Sequence, residues 1–269
     1  MIPGDYTADV RQVPLIIEPD PDDPGCAAVM VEVTVAGRPY RLVLDTGAAR
    51  SQLEADDYTS GLTPSGEDSS SGAFGGRVTD PVVTITDLAA GPLRVATLDV
   101  TRGERGLGGR LGMDVLGKHC CHFRLDAGVL GLEAPPGSSV EHELLMSRRG
   151  HVYVEVHWPG ISGSACWDTG SGATVVNRDF WLGHPELFEQ IGTSVGTDGN
   201  GERAETPLVL MAESAIGQRT FGSHQAVAVD LSRVNSTLEY PMDLILGYPT
   251  IRQADWLFDF PARRWTLTN

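Results

Sequence analysis

Lysine is nearly absent from this chain. Lys118 stands alone among 20 basic residues, and the other nineteen are arginines facing 36 Asp and Glu. The formal charge of −16 repels phosphate backbones and anionic lipid, so neither nucleic acid nor a membrane surface is expected as a partner. Long hydrophobic runs are missing too: no stretch approaches the ~20 apolar residues needed to cross a bilayer. The first residues, Met1-Ile2-Pro3-Gly4-Asp5, carry neither the basic region nor the apolar core of a secretory leader, which makes the cytoplasm the expected location. Cysteine is sparse, at Cys26, Cys120, Cys121 and Cys166, and reduced core thiols are the expectation. In His119-Cys120-Cys121-His122, four ligand types in a row on one strand cannot surround one ion, so no metal is expected and no cofactor either. Aromatics are only 7% of the residues.

Glycine and proline are abundant instead, with 32 and 17 copies punctuating short Val-, Leu- and Thr-rich runs. That pattern reads as strands and turns. At 269 residues the chain is long enough for one large or two small domains with a core that needs no staple.

The strongest internal signal is repetition. Val31-Glu32-Val33 recurs as Val154-Glu155-Val156, Gly37 as Gly160, and Asp45-Thr46-Gly47 as Asp168-Thr169-Gly170, all at an offset of 123 without a gap. Downstream, Leu111-Gly112 recurs as Leu246-Gly247 and Phe123 as Phe258 at an offset of 135. About twelve extra residues therefore sit in the middle of the second copy, where loops absorb insertions at small cost. The expected units are an N-terminal segment 1–24, a first lobe 25–135, a linker 136–149 and a second lobe 150–269. Val13–Ile17 adds a strand at the interface. Ser138 with Glu141 three residues on predicts a capped helix through Arg149. Further helices are expected after Asn177 and over Pro185–Ile191, with Gly192 beyond the latter's end.

A lone Asp-Thr-Gly after an apolar strand is ordinary turn chemistry. Two copies at matched positions, each followed by an apolar-Gly pair, are a different matter. Leu44-Asp45-Thr46-Gly47-Ala48, Trp167-Asp168-Thr169-Gly170-Ser171, Leu111-Gly112 and Leu246-Gly247 together resemble the aspartic peptidases of the pepsin and retropepsin superfamily, from about Val29 to Leu267. The resemblance implies an all-β fold of two similar six-stranded-type β-barrel lobes about a pseudo-two-fold axis. It implies catalytic Asp45 and Asp168, supported by Thr46, Gly47, Ala48, Thr169, Gly170, Ser171, Gly112 and Gly247. Each Thr hydroxyl would bond to the other lobe's backbone. The expected partner is an extended peptide or protein substrate, taken by a monomer.

The residues carry a physical reading of their own. Strands Leu42-Val43-Leu44 and Ala165-Cys166-Trp167 deliver each Asp to a turn, and Gly47 and Gly170 allow a close backbone approach. Two carboxylates in contact cannot both ionise and so share a proton, which supplies a base and an acid at once. Ala48 and Ser171 break the match between the copies. A Ser171 hydroxyl donating to Asp168 would make Asp168 the more ionised partner and Asp45 the more protonated one. Gly72-Ala73-Phe74-Gly75-Gly76 reads as a glycine-rich hairpin tip, and the resemblance implies that it is a substrate-binding flap, with Phe74 where pepsin-type flaps present Tyr. The alternative for that segment is an ordinary flexible loop. Gly196–Gly201 lies at a similar distance after Asp168 and raises the same two alternatives. For the chain as a whole the rival is a catalytically silent or narrowly specific peptide-binding relative, although a silent relative would be free to lose one Asp and both are here.

Overall fold

In the computed structural model, residues 11–23 and 25–268 are described; Met1–Val10, Pro24 and Asn269, part of the expected N-terminal segment among them, lie outside the described residues. The protein is all-β. Among the described residues twenty-three strands dominate, and the four α-helical turns run to six residues at most. The alternation of buried and exposed positions along Ala27–Val35, whose odd-numbered residues are buried, is what a half-buried strand requires.

Each copy of the repeat builds the same local arrangement. The strand leading to Asp45, Arg38–Leu44, lies parallel to Gly109–Leu111, with Leu42 opposite Gly109 and Leu44 opposite Leu111. The strand leading to Asp168, Ile161–Trp167, lies parallel to Leu244–Leu246 in the same register, with Ala165 opposite Leu244 and Trp167 opposite Leu246. Gln52–Glu54 pairs in parallel with Leu93–Gly103, and Thr174–Asn177 does so with His224–Val229. A long hairpin completes each copy: Gly66–Ser71 with Arg77–Ala90, and Phe188–Thr197 with Arg203–Met211.

The copies also share structure. The late strands Cys120–Arg124 of the first and Trp256–Asp259 of the second pair antiparallel, bringing Phe123 opposite Trp256. Gln12–Pro19 bridges Val129–Gly131 and Ala27–Val35 and so extends this shared sheet. Above it lies an aromatic block in which Trp167 meets Phe123 at 4.8 Å and Phe258 at 4.6 Å between ring centres. Trp167, Trp256, Phe123 and Phe258 are fully buried, each contributing about 1.5–3 kcal/mol of transfer free energy. Because Trp167 directly precedes Asp168, this block fixes the floor under the second Asp-Thr-Gly.

Two local expectations are corrected and a third is met. No helix forms between Ser138 and Arg149. His142–Glu143 pairs instead with Arg264–Leu267, and Leu145–Met146 pairs with Val152–Trp158. Sheet pairing, with the His142 ring 4.7 Å from that of Trp265, outweighs the capping signal. After Pro185 only a 3-10 turn, Pro185–Leu187, forms; from Phe188 the chain is already hairpin strand, and Gly192 sits at a bulge in it. The helix after Asn177 is present as Arg178–Gly183, but the Asn177 side chain accepts from Leu231 N–H rather than capping it. Nine of the extra residues in the second copy are also placed: six positions separate Gly103 from Gly109, whereas fifteen separate the matched Val229 and Leu244.

Candidate active site

The two Asp-Thr-Gly turns meet. Thr46 N–H donates to Thr169 Oγ1 (3.1 Å) and Thr169 N–H donates to Thr46 Oγ1 (3.0 Å). Each hydroxyl then donates to the strand before the opposite turn, Thr46 to Trp167 O (3.0 Å) and Thr169 to Leu44 O (2.6 Å). Both Thr side chains are buried, so these reciprocal bonds satisfy groups that water cannot reach.

The glycines follow from the same closeness. A Cβ on Gly47 would lie 2.5 Å from the Asp168 carboxyl carbon, and one on Gly170 would lie 2.5 Å from that of Asp45. Behind the turns, Asp45 N–H donates to Leu111 O and Asp168 N–H to Leu246 O, both at 3.0 Å. Gly112 and Gly247 pass so near the turns that a Cβ would meet Ala48 O at 2.8 Å and Ala173 O at 2.0 Å respectively.

Asp45 and Asp168 therefore face each other and hydrogen-bond carboxyl to carboxyl at the floor of a cleft of about 660 Å³. Asp168 Oδ1 accepts from Gly170 N–H (2.8 Å) and Gly47 N–H (3.0 Å). Burial and the neighbouring Asp45 push the Asp168 carboxyl up to about 7. Burial raises Asp45 as well, but Arg110 opposes it, with Nη1 3.8 Å from Asp45 Oδ2, and so does the hydrogen bond from Asp168. Arg110 therefore biases the pair toward charge on Asp45 and a proton on Asp168.

That reverses the sequence expectation, and the reason is visible. The Ser171 hydroxyl does not reach Asp168; it donates to Ala173 O at 2.6 Å, while Arg110 supplies the positive charge on the other side. Arg110 was missed, although a signal existed: it occupies the position that Ile245 holds in the second copy, directly before Leu-Gly. The His151 ring faces the Gly47 backbone in the cleft, and burial with nearby Arg149 holds it below its ordinary value, hence neutral at pH 7. The short helix Met113–Leu116 matters too. Asp114 accepts from Ser51 N–H and Oγ, and Ser51 Oγ in turn accepts from Gly112 N–H, tying the first turn to the strand behind it.

Both glycine-rich segments are hairpin tips. Gly72–Gly76 closes the first hairpin with Gly72 N–H to Gly76 O (3.0 Å), and Asp198–Glu202 closes the second with Asp198 N–H to Glu202 O (2.9 Å). The tips touch over the cleft. Phe74 N–H donates to Asp198 Oδ2 (3.1 Å) and Asn200 Nδ2 to Gly76 O (3.0 Å). Arg110 Nη2 donates to Gly199 O at 2.8 Å, so one guanidinium links the floor to the second tip. The Phe74 side chain packs against an apolar cluster of the second copy that includes Tyr153, Val175, Met242 and Ile245. Ala73 lines the cleft beside it.

Compared with known proteins, residues 31–115 match a family model described as aspartyl protease. The matched segment holds the first Asp-Thr-Gly and Leu111-Gly112 but not the second copy. A search among curated proteins returns no match for the chain.

Proposed function

We propose that this protein is an aspartic endopeptidase in which Asp45 and Asp168 activate one water against a peptide bond. The two copies are read as two lobes about a pseudo-two-fold axis, pepsin-like in being a single chain and retropepsin-like in their small size and paired hairpins. The observation that carries the reading is the hydrogen-bonded carboxyl pair held by reciprocal Thr contacts under a cleft roofed by two hairpin tips. The match of residues 31–115 to the aspartyl protease model supports it.

In this mechanism ionised Asp45 takes a proton from water lying between the carboxyls, and the water oxygen attacks the peptide carbonyl. Protonated Asp168 donates to the carbonyl oxygen as it gains charge. The proton on Asp45 then passes to the departing nitrogen, one hydroxyl of the tetrahedral diol returns its proton to Asp168, and the C–N bond breaks to leave a carboxylic acid and an amine with the pair restored. The Gly47 and Gly170 N–H groups hold the Asp168 carboxyl in place throughout. The hairpins must separate to admit a chain, and their backbones would then pair with it as added strands.

The test is cleavage of unfolded protein and of mixed peptides between about pH 3 and about pH 8. Wild-type protein cuts them, a statine-type inhibitor blocks cutting, and Asp45→Asn stops it without changing the fold. Cutting by Asp45→Asn at the wild-type rate would end the reading.

A further inference from the structure

The cleft has two walls built from matched positions, and they differ in chemistry. Strand register pairs Gln52 with Thr101 in the first copy and Val175 with Val227 in the second. Arg110 matches Ile245, each lying opposite the second residue before its Asp, Val43 and Cys166. At three equivalent places, therefore, the first wall presents an amide, a hydroxyl and a guanidinium, and the second presents three aliphatic side chains. All six line the cleft. The insertion in the second copy deepens the contrast, since it carries Leu238 and Met242 against the aliphatic wall.

Arg110 has capacity to spare. Its side chain is only 19% exposed. Among the described residues its ion pair with Asp45 spans 3.8 Å, and its hydrogen bond goes to Gly199 O on the second hairpin tip. Asp80, which also feels its charge, sits on the first hairpin. Both of these competing acceptors belong to hairpins that must lift before a polypeptide can enter. Once they lift, a largely buried guanidinium with five N–H donors retains only the distant Asp45, and buried donors left unmatched are costly. A carboxylate is the group that fits a guanidinium fork best. On the other wall Phe74 already lies against the aliphatic cluster, so a large apolar side chain suits it.

We propose that the cleft selects peptides with an acidic side chain on one side of the scissile bond, held by Arg110, and a large apolar side chain on the other, held by Ile245, Val175 and Met242. This rests on the peptidase reading for the bond that is cut, but not for the binding preference.

Matched peptides carrying Phe on one side of a central bond and Glu, Gln or Lys on the other, in both orders, test it against the full chain. Each is made twice, once cleavable and once with the bond replaced by a secondary alcohol. In one of the two orders, Glu should exceed Gln about tenfold in kcat/KM and bind with about tenfold lower Kd, with Lys weakest. Arg110→Gln should bring the Glu-to-Gln ratio to about one while leaving the Phe preference intact. The ratio is read within each variant, so a change in overall rate does not obscure it. Cleavage with a Glu-to-Gln ratio of one or less in both orders overturns the inference and leaves the peptidase reading standing. So does a preference for Lys, which would point to Asp80. Tighter binding of the uncleavable Glu peptide with no cutting of its cleavable twin keeps the inference and overturns the peptidase reading. Neither binding nor cutting overturns both.

Discussion

The two copies of the repeat agree in backbone and disagree in side chains. The turns at Asp45 and Asp168 make the same bonds to the strands behind them, at the same 3.0 Å, and the same reciprocal Thr contacts. Around those turns, Arg110 replaces the aliphatic partner that Ile245 provides, and a polar wall faces an apolar one. The lesson is that near-symmetry places two identical acids together while the departures from symmetry make them unequal. The guanidinium beside Asp45 favours its charged form, and burial with the neighbouring Asp45 favours the protonated form of Asp168.

The largest expected effect breaks the pair itself. Asp45→Asn and Asp168→Asn should each reduce peptide cleavage by about 10³-fold or more, with unchanged circular dichroism. Equal losses mean that both acids are required, whatever their difference in charge.

Next comes the pair of glycines behind the turns. Gly112→Ala should cost about 1–3 kcal/mol in urea unfolding, because its Cβ meets Ala48 O at 2.8 Å. Gly247→Ala should cost more, since its Cβ would come within 2.0 Å of Ala173 O and backbone must move. A smaller loss at Gly247 would mean that the second turn is the looser of the two.

The inequality of the acids has a pH signature. Folded Asp168 holds its proton up to about 7, whereas an unfolded carboxyl loses it near 4. Stability should therefore fall as pH rises through that window, because the folded state binds the extra proton. Asp168→Asn removes this dependence, so its melting temperature relative to wild type should climb from about pH 4 to about pH 8. Cleavage by the wild-type protein should fade as pH rises through the same region, when Asp168 loses the proton it must donate.

The smallest effect concerns Ala48 and Ser171. Because the Ser171 hydroxyl is engaged by Ala173 O, Ser171→Ala should cost about 0.5–1.5 kcal/mol of stability and leave the pH–rate limbs in place. Ala48→Ser should leave them in place as well. A shifted acidic limb in either variant would put the hydroxyl back at the carboxylates.

Much of this was legible in the sequence, because what is local and repeated is legible. The 123-residue offset announced the matched strands and turns, and the two glycines after the Thr residues announced a backbone approach too tight for a Cβ. The hidden parts depend on what comes near in space. Ser138 and Glu141 spell a helix start, but edge strands at Trp265 and Tyr153 were there to claim that segment. Ser171 looked poised to donate to Asp168, yet a carbonyl two residues ahead was the nearer acceptor. Arg110 broke the repeat in plain view, though its position beside Asp45 emerges only when Val43 and Arg110 are seen in register. The second hairpin was ambiguous as a string of Gly, Asp and Asn. Its pairing of Thr197 with Arg203 resolves it as the counterpart of the first.

The central claim is that the two acids hold one proton between them, and that Asp168 is the one raised. Carbon-13 NMR of the aspartate side-chain carboxyls, followed from about pH 3 to about pH 9 with Asp45→Asn and Asp168→Asn used for assignment, reads it directly. The account predicts that one proton stays on the pair until about pH 7, with the high-pH step centred on the Asp168 signal. Both carboxyls titrating together near pH 4, as isolated aspartates do, would contradict it.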